Sequence, residues 1–245
     1  MRPILAAAIL CAAVVSADDL SARIRSQEKA FGKSVAWIRL VTSPAHAEGA
    51  DVTGVCSGPV ISQGGRLVVL APDIEEGLKS VKILRDDGQD QEADVLAHDA
   101  DLGLMFIVAK DPKTSGLVPT EAPKAPPPQL GDPLLLIDRR SHNSPDETVC
   151  RLVRVCCVLE RPERAWLYTG IEAGQMGGLV VTPAGEIVGV VALLKDRDAE
   201  GNPTAIPAVL PFSKLLASVQ SVQDTPSKDA APKEPEKSPK QEEKP

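Results

Sequence analysis

The groups in this sequence that could do chemistry are few and scattered. There are three histidines in 245 residues: His46 and His142 lie in polar, loop-like stretches, and His98 precedes an apolar run. Each reads as a solvated surface histidine, with His142 the one that merits a check as a base. Beyond residue 17 the cysteines are Cys56, Cys150, Cys156 and Cys157, none at metal-ligand spacing with a histidine, so neither a metal nor another cofactor is expected. Cys150 and Cys156 share one strand-like run, which holds them roughly 20 Å apart and prevents them from bridging each other. Buried thiols are at least as good a reading as disulfides. No serine occurs between Ser144 and Ser213, so a nucleophile there would have to be Thr or Cys. The sharpest pattern is Gly174-Gln175-Met176-Gly177-Gly178, a glycine-rich turn whose N–H groups could converge on a carbonyl or carboxylate oxygen. The same glycines could equally serve only the backbone angles of the turn.

The elements that must position these residues are mostly short β-branched runs between turn signals. In the first half they cover 34–41, 58–62, 66–70, 81–85, 93–97 and 102–108; in the second, 133–137, 148–159, 164–169, 178–181, 186–194 and 204–209. Twelve short strands in two sets predict an all-β double β-barrel, because closure removes exposed edges. A first barrel is expected over 34–111 and a second over 131–209, with the Pro-rich stretch 112–130 as a surface connection. Leu20, Ile24 and Phe31 at helical spacing predict a short helix over 18–33, and 210–222 reads as a closing helix.

The two ends differ from this body. Arg2, an apolar stretch and Val15-Ser16-Ala17 resemble a signal peptide cleaved after residue 17, which predicts an exported, periplasmic or secreted protein. Cys11 could mark a lipid anchor, but the preceding Leu10 fits one poorly. Residues 223–245, rich in Pro, Lys and Glu, cannot bury enough apolar surface to offset ordering and predict a disordered tail. With only 2% aromatic residues and a net charge of -7, the chain lacks stacking platforms and repels phosphate backbones, which argues against nucleic acid. No later stretch is long and apolar enough for a membrane helix.

Four segments, in order, resemble the HtrA (Deg) type of trypsin-like serine protease. Residues 57–72, SGPVISQGGRLVVLAP, resemble the strand pair that ends on that family's catalytic histidine, and here the position holds Pro72. The run Asp101-Leu102-Gly103-Leu104 resembles the strand carrying the catalytic aspartate, at Asp101. Gly131-Asp132-Pro133-Leu134 resembles the opening of the second barrel, with Asp138 where the family has glycine. The turn at 174–178 followed by Gly185-Glu186-Ile187-Val188-Gly189 resembles the nucleophile turn, with Met176 in the place of serine. Ala205-Ile206-Pro207 adds a weaker match near the end of the barrel.

The resemblance implies a trypsin-like double barrel whose triad-equivalent positions, Pro72, Asp101 and Met176, are no longer catalytic. Proline has no ring nitrogen to accept a proton, and a thioether cannot act as an acyl-transfer nucleophile. It further implies a peptide cleft formed by Gly174, Gln175, Met176 and Gly177 together with Val190 and Ala192 on a strand that an extended peptide could join. The expected function is therefore a binding or regulatory pseudoprotease, partnered by extended peptide or protein segments, by copies of itself or by an active homologue. The family commonly carries a PDZ domain; only the charged tail follows Val222, so none is expected. The alternatives are a weak, unconventional peptidase and a purely structural scaffold.

Overall fold

The structure, a computed structural model, describes residues 17–43, 51–63, 66–73, 77–84, 89–99, 102–111, 117–120, 126–139, 148–160, 165–170, 176–197 and 203–223. All but residue 17 of the expected leader (1–17), all but residue 223 of the expected tail (223–245) and much of the 112–130 connection lie outside them. A helix α1 (Ala17–Phe31) and a 3-10 turn (Gly32–Ser34) lead into twelve strands. The first six are β1 (Val35–Thr42), β2 (Val52–Gln63), β3 (Arg66–Pro72), β4 (Leu78–Leu84), β5 (Asp90–Asp99) and β6 (Leu104–Ala109). They close into a barrel in the order β1-β2-β3-β6-β5-β4.

The second six are β7 (Pro133–Arg139), β8 (Thr148–Leu159), β9 (Ala165–Tyr168), β10 (Leu179–Val181), β11 (Ile187–Arg197) and β12 (Pro203–Pro211). They close in the order β10-β11-β12-β9-β8-β7, and α2 (Phe212–Gln223) follows. The protein is thus an all-β double β-barrel with a helix at each end. Every expected strand is present. Their ends moved where pairing overrode local signals: β2 starts at Val52, not near 58, because Val52 to Gly58 ladder fully onto β1 despite two glycines. Leu210 and Pro211, expected in the closing helix, instead complete β12 against Val190 and Gly189.

Three apolar clusters explain why two barrels form one body. One draws only on first-barrel strands, including Ile38, Val69, Ala71, Met105 and Ile107, and fills that barrel. Another draws only on second-barrel residues, among them Leu136, Val155, Trp166, Val191 and Met176. The largest takes Leu70, Leu104 and Phe106 from the first barrel, Leu135, Ile137 and Val190 from the second, and Phe212, Leu215 and Val219 from α2. It is the layer between them. Strand β7 therefore reads as an unbroken apolar run, Leu134-Leu135-Leu136-Ile137, since the second barrel covers one face and this layer the other. Burying each such side chain contributes about 1.5–3 kcal/mol.

Helix α1 lies on β7 and β8, with Ile24 and Phe31 on that layer. Helix α2 reaches back to the first barrel, where Ser218 Oγ bonds Asp99 Oδ2. The four described cysteines are all free. No helix among the described residues is long and apolar enough to cross a membrane.

Candidate functional site

The seam between the barrels is built around Ser57. Its hydroxyl donates to the Asp138 carboxylate on β7 and accepts from the Arg139 N–H at 2.9 Å. Ser57, Asp138 and Arg139 are all buried. The turn at Met176-Gly177 rests on the same spot. Gly177 has φ +82°, and a Cβ there would overlap the Ser57 carbonyl oxygen, so this position requires glycine on both counts. Its N–H donates to Val191 O at 2.8 Å, and Val191 N–H donates to Gly178 O at 3.0 Å, which fixes the turn on β11.

Next along β2, Gly58 backs directly onto the Leu70 carbonyl. Pro72, paired with Leu104 at the end of β3, lies two residues beyond Leu70, roughly 6–7 Å farther. Contacts thus run from Gly177 to Ser57 and from Gly58 to Leu70, two residues before Pro72 on β3. Asp101, Gly174 and Gln175 lie outside the described residues, as do His46 and His142.

Side-chain directions differ from an open cleft. Met176 is 8% exposed and packs inside the second barrel with Val180, Val188 and Val191 rather than standing over the seam. Val190 and Ala192, expected to wall a peptide cleft, are both 0% exposed in the layer between barrels. They position β11 and present no side-chain surface. What β11 does present is backbone. Its residues from 187 to 190 pair with β10, and Val191 is taken by Gly177 and Gly178. Beyond that, among the described strands, only β12 pairs with it, on its other edge. Alternation puts the N–H groups of Leu193, Lys195 and Arg197 on the unpaired edge. Gly103 marks where the first barrel meets this edge: a Cβ on it would lie 3.0 Å from Leu193 O.

Reading the sequence missed one arrangement. His98 Nδ1 lies 2.6 Å from Asp73 Oδ1, the imidazole side chain 46% exposed and the carboxyl side chain 3%. His98 stands opposite Met105, and Asp73 continues the face of Ala71, so the pair closes the end of the first barrel. Asp73 N–H in turn donates to Gly103 O at 2.9 Å, one residue-contact from the β11 edge. With Nδ1 engaged by Asp73, Nε2 is the ring nitrogen left for another partner. No described hydroxyl or thiol bonds that nitrogen. The only signal in the sequence was Asp73 directly after Pro72, and nothing local said that β5 would bring His98 to it.

Burial governs the thiols. It pushes Cys56 up to about 12, with the Asp138 carboxylate adding to the effect, and Cys150 up to about 11, with Glu28 adding. Neither is a nucleophile at neutral pH. No group of three or more His, Cys, Asp or Glu among the described residues could hold a metal ion. No protein-family model matches the chain, and no curated protein matches it in sequence. Fold and seam therefore define its class: an all-β double barrel with a polar clasp and a backbone edge at the junction.

Proposed function

We propose that this chain is a non-catalytic homologue of HtrA-type trypsin-like proteases that binds extended peptide segments in an exported compartment. The observation that carries the reading is the placement of Met176: its side chain is committed to the second barrel's core at the position that resembles the nucleophile. Pro72, at the position that resembles the base, offers no proton acceptor. The edge of β11 past Val191, which no described strand pairs, supports strand addition as the binding mode, since main-chain hydrogen bonds supply affinity without an exposed side-chain wall. Export rests on the leader-like residues 1–17. Copies of the chain or an active homologue are the other partners that the resemblance suggests.

The purified protein should take no label from a serine-hydrolase probe, cleave no unfolded casein, and retain peptides from a displayed library. Lys195→Pro removes one edge N–H and leaves the β12 ladder intact, so it should weaken retained peptides at least tenfold. Equal binding by that variant would remove β11 as the site.

The His98–Asp73 pair favours one second reading, an unconventional hydrolase with His98 as base. Casein cleavage by the parent chain that disappears in His98→Ala would establish it in place of the first.

A further inference from the structure

Strand β8 breaks its alternation at one point. Its ladder to β9 runs from Val155↔Tyr168 to Cys157↔Leu167, so Cys156 is one residue too many, a β-bulge. Regular alternation would send adjacent Cys156 and Cys157 to opposite faces. The bulge places them on the same one. Val155 and Val158, three residues apart, both pack inside the second barrel with Trp166 and Tyr168. Leu167, between those two on β9, faces outward toward the layer between the barrels, and its partner Cys157 shares that face. Cys156 is exposed, and both thiols are free. Two consecutive thiols thus stand on the outer wall of the barrel. The order β10-β11-β12-β9-β8-β7 sets two strands between β8 and β11 in either direction, so this pair is separate from the β11 edge.

Adjacent cysteines are poorly placed for a disulfide with each other: their Cα atoms are about 3.8 Å apart, below the roughly 4.4–6.8 Å that a disulfide usually spans. A metal ion is less demanding. With a metal–thiolate bond of about 2.3 Å on each side, it accepts sulfurs up to about 4.6 Å apart, against about 2.05 Å in a disulfide. The number of ligands selects the ion. Among the described residues no third His, Cys, Asp or Glu joins the pair, which falls short of the four ligands of structural zinc and of iron–sulfur clusters. Monovalent copper is the soft, thiolate-seeking ion that two sulfurs can hold. We infer that Cys156 and Cys157 form a two-coordinate site for one Cu(I) ion. Binding forms two Cu–S bonds, releases the proton of each thiol to solvent and transfers no electron.

The purified protein, reduced and kept under nitrogen, should take one equivalent of Cu(I) from its coloured bicinchoninate complex. X-ray absorption at the copper edge should then report two sulfur neighbours. Cys156→Ser, at an exposed position, and Cys157→Ala should each weaken the capture at least tenfold, with circular dichroism matching the parent. Cys11→Ser and Cys150→Ala should leave it within twofold, and an equal concentration of Zn²⁺ should not displace the copper. Failure to take copper from the chelator overturns the inference, as does undiminished capture by Cys156→Ser. So does a copper centre with three or more sulfur neighbours, or displacement by Zn²⁺, since either would mean a larger ligand set than this pair.

Discussion

The hydroxyl of Ser57, on β2 of the first barrel, donates a hydrogen bond to the carboxylate of Asp138, on β7 of the second. Both groups are buried, so the bond is not exchanged for one with water, and it ties two separately closed sheets at the seam. Ser57→Ala deprives a buried carboxylate of a donor and should lower unfolding free energy by about 1–3 kcal/mol. A double-mutant cycle with Asp138→Asn in urea melts should return a coupling of at least 0.5 kcal/mol in magnitude, on the order expected for contacting groups. Strictly additive losses would mean that the clasp is incidental.

Gly177→Ala meets two obstacles, a left-handed backbone and the Ser57 carbonyl. The expected cost is at least about 2 kcal/mol, with a lower melting temperature. Gly54→Ala on β2 has nothing within 4 Å of the added methyl and serves as the control, within about 0.5 kcal/mol of the parent.

At Met176 the packing reading predicts sensitivity to volume. Met176→Ala should destabilise by about 2–5 kcal/mol and Met176→Leu by less than about 1.5. Denaturant melts decide it, and an Ala variant as stable as the parent would take Met176 out of the core.

Tyr168 carries a buried hydroxyl with no hydrogen-bond partner among the described residues, and burial raises its pKa. Tyr168→Phe removes an unsatisfied polar group and keeps the ring, so stability should rise or stay within about 0.5 kcal/mol. A loss beyond 1 kcal/mol on the same assay would reveal a partner.

The thiols should separate by pH. Alkylation needs the thiolate, so at pH 8 exposed Cys156 should react well before Cys150 and Cys56. Raised folded values mean that the neutral thiols stabilise the fold fully below the ordinary value near 9. That contribution falls as pH rises through about 11 for Cys150 and about 12 for Cys56. Peptide mapping after timed alkylation at pH 8 and 10 reads the order directly, and early labelling of Cys56 at pH 8 would contradict it.

Twelve strands were legible because alternation and turn residues are local, and each short run carried its own signal. Strand ends were less so: β2 gains Val52 to Ser57 only because β1 is there to pair with it, and Leu210-Pro211 join β12 only because β11 is adjacent. The exposure of the site residues was the least legible. Met176, Val190 and Ala192 each read as cleft-lining from their place in a motif, yet the direction of a side chain at a barrel seam depends on which face the neighbouring barrel covers.

By itself the sequence determined the two sets of strands, the flanking helices and the residue types Pro72 and Met176, because these follow from periodicity and from which atoms a side chain carries. Tertiary structure alone decided that His98 meets Asp73 across 25 residues and that Ser57 meets Asp138 across 81. Those contacts come from barrel closure and from docking one barrel on the other. Both are long-range events in which the apolar layer, not any local signal, sets which polar groups end up buried together.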